Sequence, residues 1–236
     1  MESNIKKYKY HLFLKSCIWY GPILTLFYLL KTMSFTQIFL IASIYRVALA
    51  IFEVPTGSIA DKFGYKKSVT LGLLVTSVAL GIYPLGTTMM YFILCEILFA
   101  IGAALISGAD ESLFYDSLKK ENREKEYQKL IGKSKQFQFL SQLIGSVLSA
   151  ILFEINYMFP FLVSSILLFL GFILFSTFKE EKVNKKESQS FKEYCFHIKE
   201  SGQYIMKNKK IRTIILFAGV VGMTYGTIHL AYAPFF

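Results

Sequence analysis

The chain has 236 residues, 54% of them hydrophobic and 17% aromatic, and a mean hydropathy of +0.46. A water-soluble domain of this length would interleave more polar residues, whereas the apolar residues here run in long blocks, which excludes an ordinary soluble globule and points to a membrane. The net charge of +10 would suit a nucleic-acid binder, but the placement of the basic residues argues for lipid contact instead.

Seven apolar blocks follow one another, at roughly 12–30, 35–59, 68–86, 90–117, 136–156, 158–178 and 212–236. Each approaches the ~20 residues that an α-helix needs to cross ~30 Å of hydrocarbon. No alternating strand pattern is present, so the blocks are predicted to be helices. Block one holds Lys15, Trp19, Tyr20, Pro22 and Tyr28. Lys15 is expected to snorkel to the nearer boundary, and Tyr28 to join an interfacial aromatic belt at the far one. Tyr20 sits deeper and is a candidate to stack against an organic solute. Block two places Arg46 near the membrane midplane and Glu53 seven residues on, on the same helical face, offset by ~10 Å. Either residue can line a polar path or serve in a structural ion pair. Pro55 is expected to kink this helix near its end.

Block four carries Glu96, Ser107, Asp110 and Glu111. On one unbroken helix these four fall within an arc of about 100° and form a polar stripe. A buried carboxylate in such a stripe can carry a proton; the alternative is an ion pair with Arg46 or Lys15. Glu96 lies nearest the end away from the basic loops, where the structural role is favoured. Block five shows Ser141, Gly145 and Ser149 at small-xxx-small spacing, a close-packing face. The segment 179–211 places Phe191, Tyr194, Cys195, Ile198 and Ile205 on one face, as in an amphipathic helix on a membrane surface; a charged linker is the alternative. Block seven supplies Tyr225 as a cavity candidate and His229 and Tyr232 nearer a boundary.

The linkers alternate in charge. Of the 26 lysines and arginines, Lys31 alone falls in the short linkers, Lys15 and Arg46 lie within blocks, and Arg212 stands at the boundary between the last long linker and block seven. All the others lie before the first block or in the long linkers after blocks two, four and six. Basic loops stay on the cytoplasmic side, so a multi-pass protein of the cell membrane with a cytoplasmic N-terminus is predicted. The first block is too long for the core of a cleavable signal and has no A-x-A-like site. Cys17, Cys95 and Cys195 show no metal or redox spacing. No HExxH, GxSxG or phosphate-loop pattern occurs, and no enzyme activity, cofactor or metal is predicted.

The turn after block two reads GSIADKFGYKK, Gly57 to Lys67. This resembles the signature of the major facilitator superfamily, G-x-L-A-D-R-x-G-R-[RK], in the same loop; Ile59, Lys62 and Tyr65 are the departures. The resemblance implies an all-α fold: a six-helix bundle of two inverted three-helix repeats over 1–178, a linker over 179–211, and the first helix of a second half over 212–236. It implies a secondary transporter that moves a small organic solute by alternating access, with proton coupling and drug or metabolite efflux as expectations. A proline-poor fifth block weighs against the drug–proton antiporters of that family. The expected partners are substrate, protons, the bilayer and the remaining C-terminal six-helix half, in cis or from another chain. The Phe-, Tyr-, Ile- and Lys-rich composition suits a bacterial membrane. A non-transporting fragment, sensor or scaffold is the alternative.

By the same resemblance, Gly57, Asp61, Gly64, Lys66 and Lys67 form a gating motif, with Asp61 latching the two halves and Asp116 as a partner for Lys66 or Lys67. The first, fourth and seventh helices would line the cavity. Arg46, Glu53, Ser107, Asp110, Glu111, Tyr20 and Tyr225 are then the candidates for the proton or substrate path. Physical chemistry supports parts of this directly: Gly57 permits close helix approach, and Gly64 permits a tight turn.

Overall fold

A computed structural model describes residues 2–180 together with 208, 210, 212, 213 and 217. The chain divides into units 1–183 and 184–236. In the second, Lys210, Arg212, Thr213 and Phe217 are helical, and the Arg212 N–H donates to the Asn208 carbonyl at 3.0 Å. The amphipathic segment expected over 179–211 and the seventh helix with Tyr225 otherwise lie outside the described residues.

The first unit is all helix among its described residues: α1 (Glu2–Lys15), α2 (Leu24–Leu30), α3 (Phe35–Phe63), α4 (Tyr65–Ile82), α5 (Met89–Ile106), α6 (Ala109–Lys120), α7 (Tyr127–Ile155) and α8 (Phe159–Ser176). Five stretches are long and apolar enough to cross a membrane: Phe35–Glu53, Tyr65–Leu85, Met89–Lys120, Glu124–Ile155 and Phe159–Ser176. These match blocks two to six, with ends shifted by up to about twelve residues, the largest shift where the fifth runs on into basic sequence at its start. The helix α3 is opened by Ser34, whose side chain accepts from the Gln37 N–H while Gln37 answers back, a capping box. It closes on Gly64 at φ +102°, a conformation open to glycine, which makes the expected tight turn into α4.

Two blocks are not single helices. The first was expected to run unbroken over 12–30. Instead α1 starts at Glu2 and stops at Lys15, a coil passes Ser16 to Tyr20, and a 3-10 turn at Gly21–Ile23 leads into α2. Pro22 is the physical reason: its ring has no N–H to give and clashes with the carbonyl four residues back, and Gly21 beside it adds backbone freedom. The fourth block breaks between α5 and α6 at Ser107 (ψ 124°) and Gly108 (φ +74°). This break divides the expected polar stripe, because the turn reorients everything after residue 106.

One end of the bundle gathers the basic linkers. There the Glu2 N–H donates to Glu121 (3.0 Å), Asn4 Nδ2 to the Lys179 carbonyl (2.7 Å) and Lys7 Nζ to Thr177 (3.0 Å). The other end gathers the short turns: Lys31 Nζ donates to the Pro84 carbonyl at 3.4 Å and lies 4.8 Å from the Tyr157 ring. The alternation of linkers inferred from charge is therefore the alternation of the two ends.

Within the bundle, α5 packs along α3 and α4, α4 along α8, and α1 along α7. The α4–α5 contact depends on two glycines. A Cβ at Gly102 would lie 2.3 Å from Thr76 Oγ1 and 2.9 Å from the Gly72 carbonyl oxygen; one at Gly72 would lie 2.7 Å from the Gly102 carbonyl. Small residues let helix backbones approach in lipid, where packing replaces the hydrophobic drive. Ser141, Gly145 and Ser149 of α7 are buried as the small-residue spacing predicts, and the Trp19 indole occupies the room over Gly145. Val47, Ile51, Leu143, Val147 and Ile151 point outward, as side chains solvated by lipid do. Gly102→Val is expected to lower unfolding stability in detergent by about 1–3 kcal/mol through overpacking. Gly132→Ala, where nothing lies within 4 Å, is expected to be neutral or to stabilise by about 0.5–1 kcal/mol. Parallel thermal unfolding of the two variants checks the pair.

Candidate functional site

The split of the fourth block gives its polar residues three separate settings. Asp110, in the first turn of α6, is 2% exposed. Its Oδ2 lies 2.5 Å from Lys15 Nζ and 3.4 Å from His11 Nε2, both on α1. His11 stands just outside the first apolar block, and burial pulls its pKa down, against the pull of the Asp110 hydrogen bond. Lys15, the nearer of the two, supplies the counter-charge. Of the roles open to Asp110, the ion pair with Lys15 is therefore the one observed, and Lys15 turns inward rather than snorkelling freely. Glu111, half-exposed, lies 3.5 Å from Lys135 of α7.

Ser107 faces the other way. Its hydroxyl donates to Glu53 Oε1 of α3 at 3.2 Å, and both residues are exposed. Arg46 is also exposed on α3, its guanidinium 5.7 Å from the Tyr45 ring, and no ion pair joins it to Glu53 among the described residues. Ser43, Arg46, Ala50, Glu53 and Gly57 recur every three or four residues along one face of α3. This face and the break at Ser107–Gly108 form a polar seam midway along apolar helices. Ionisable groups do not face hydrocarbon at that depth, so the seam belongs against water, solute or further protein.

Glu96, the third setting, is 6% exposed near the short-loop end. Tyr83 donates to its Oε1 at 2.6 Å, Tyr28 reaches the same atom at 3.4 Å, and the two hydroxyls bond each other. Tyr28 is 1% exposed. It is thus a core residue rather than a member of an interfacial belt, because its hydroxyl finds a partner inside. Tyr20 is buried as well, stacked on Phe161 at 4.9 Å.

In the turn after α3, Asp61 is exposed and accepts from the Tyr65 hydroxyl at 3.3 Å. Neither Lys66 nor Lys67 forms an ion pair with Asp116 among the described residues. The N-terminus of α4 is occupied by Glu180: its carboxylate accepts from the Tyr65 N–H (2.7 Å) and the Lys66 N–H (3.0 Å). A Cβ at Gly64 would stand 2.6 Å from Glu180 Oε2, so the glycine serves the carboxylate as well as the turn. Sequence reasoning missed Glu180, His11 and Tyr83. Glu180 carried a faint signal, an acid directly after a span in otherwise basic sequence; the other two carried none.

Removing one partner of a fully buried ion pair costs about 3–5 kcal/mol. Lys15 keeps 27% exposure, so Asp110→Leu alone is expected to fall at or below that range. The double variant Lys15→Met/Asp110→Leu is expected to regain most of the loss, since no unpaired charge remains. Chemical unfolding of both variants checks the difference.

A sequence profile of the Major Facilitator Superfamily matches residues 12–236. The chain is also similar to an uncharacterized MFS-type transporter, YxaM of Bacillus subtilis (strain 168), at 30% identity over 219 residues. That match covers 92% of this chain and 54% of the relative, so the chain spans about half the length of the curated relative it matches. With an all-helical polytopic fold, the signature turn at Gly57–Lys67 and these two similarities together, the chain belongs to the major facilitator superfamily.

Proposed function

We propose that the full-length protein is a secondary transporter that carries a small organic solute across the cell membrane by alternating access, coupled to protons, with its N-terminus in the cytoplasm. The observation that carries this reading is the exposed seam of Arg46, Glu53 and Ser107. A cation and a carboxylate within the apolar spans, without an ion partner among the described residues, call for a polar path between this half and its complement. The interruptions in the first and fourth blocks support the same reading, since non-helical backbone at membrane depth is tolerated where it is buried in protein or lines a cavity. Drug or metabolite efflux remains the proposed direction.

In this reading the turn at Gly57–Lys67 gates the cytoplasmic side. Asp61, exposed and held among the described residues by Tyr65, is the latch to the second half. Lys66 and Lys67, without an ion partner among the described residues, are set to meet charges there, with Asp116 nearby on α6. Glu53 is the proposed proton group of the seam, and Asp110 and Glu111 set the geometry of α6 through Lys15 and Lys135. The C-terminal six helices, in cis or on another chain, complete the path.

Single cysteines placed along α3 of the full-length protein, on a background lacking Cys17, Cys95 and Cys195, test the seam. Positions 43, 46, 50 and 53 are expected to react with a membrane-impermeant thiol reagent, and 47 and 51 to resist it. Labelling of 46 and 53 from each side of the membrane in turn would mark alternating access. Uniform resistance of all four seam positions would overturn the reading. In proteoliposomes, Glu53→Gln is expected to abolish solute movement driven by a pH gradient; undiminished movement would remove Glu53 from the proton path.

A further inference from the structure

Glu96 was the acid of the fourth block least expected to act, and its surroundings now set it apart. Asp110 is matched by Lys15, Glu111 lies near Lys135, and Glu53 is exposed. Glu96 alone combines burial with the lack of a cation in contact among the described residues. It sits seven residues into α5, ~10 Å from the start of that helix at Met89. Its Oε1 takes the Tyr83 hydroxyl, and among the described residues no donor reaches its Oε2. An ionised carboxylate so buried is costly unless it is paired, and a carboxylic acid there needs only modest hydrogen bonding.

The groups that face it are few. From the first block, α2 gives Tyr28, and Tyr20 stands just before that helix. The turn after α4 gives Tyr83; α4 itself has no titratable side chain between Ser68 and Ile82. From α3 come Tyr45 and Arg46, the latter acting through space with its guanidinium over the Tyr45 ring. On α5 itself, Cys95 adjoins it. A single carboxylate is thus ringed by four tyrosines, with one arginine at a distance.

We propose that Glu96 is a proton-binding site of the membrane-embedded protein, taking a proton on Oε2 and releasing it while the Tyr28–Tyr83 pair holds Oε1. The proton comes from water at the short-loop end and returns to water; no other group changes. A hydrogen bond to a carboxylate is about twice as strong as one to a neutral acid. Proton uptake therefore weakens the tie that joins α2, through Tyr28, to α5. Helix 1 is already interrupted at Ser16–Tyr20, so α2 is the piece that such a change can release. The site deepens the proton-coupled reading above and differs from the exposed seam in place and in its hydrogen-bond partners, with Arg46 acting on both.

Infrared difference spectroscopy of the full-length protein in liposomes tests this across the neutral pH range. A titrating carboxylic-acid C=O band is expected, lost in Glu96→Gln and moved to higher wavenumber in Tyr83→Phe, which relieves the carbonyl of its donor. Titrating bands identical in the parent and in Glu96→Gln would overturn the proposal. Should Glu96→Gln fail to fold, a band unmoved in Tyr83→Phe overturns it equally. The readout needs no solute, so its outcome is independent of the thiol-accessibility experiment.

Discussion

A peptide group freed from its helix inside hydrocarbon must find another partner within the protein. Two such interruptions organise this half-bundle, and each is met by a neighbour. At the first, the Trp19 N–H donates to Ser164 of α8 and its indole N–H to the Ser141 carbonyl of α7, both at 3.0 Å. The Cys17 thiol reaches back to the Phe13 carbonyl and across to Ser141, both at 3.2 Å. The break is thereby tied to the fifth and sixth spans at once, and Gly145 has no side chain because the Trp19 ring needs the space. The small residues of α7 therefore do more than bring two smooth helices together. They receive the irregular part of helix 1.

At the second interruption, Gly108 turns the chain so that two consecutive polar groups diverge. Ser107 points to Glu53 on α3, while Asp110 points to Lys15 at the end of α1. The acids Asp110 and Glu111 also occupy the first turn of α6, where the helix dipole favours negative charge. The same electrostatics recur at α4, where Glu180 accepts from two N–H groups of the first turn. That contact fixes the end of the sixth span to the signature turn, so the turn is held from within its own half. Asp61, released from that task, stays at the surface.

The spans and their two ends were legible in the sequence because apolar length and loop charge act over twenty residues and survive local detail. The signature turn was legible because Gly64 answers to a backbone angle. The interruptions were harder to see. Pro22 announced the first, and its Gly21 neighbour reinforced it, yet the block remained apolar enough to read as one helix. The second hid in "ISGADES", where one glycine at positive φ undoes a face pattern that assumes about 100° per residue. Tyr28 was misjudged as interfacial because its burial depends on a hydroxyl partner, Tyr83, that sequence spacing does not bring near. His11 lay outside the apolar block, and its meeting with Asp110 depends on the packing of α1 against α6.

The outcome is a separation of labour among the acids of the second and fourth blocks. A carboxylate in contact with an ammonium, as Asp110 is with Lys15, lowers its energy by staying charged and so anchors α6 to α1. A carboxylate at an exposed seam, as Glu53 is, keeps its hydration and needs no buried counter-charge. A carboxylate among hydroxyls, as Glu96 is, has donors that serve its ion and no charge that demands it. One unbroken helix would have aimed Ser107 and Asp110, three residues apart, at a common neighbour. The glycine at 108 lets a single span hold an anchor at Asp110 and a seam at Ser107, while Glu96, ~16 Å before the break, keeps its own hydroxyl neighbours.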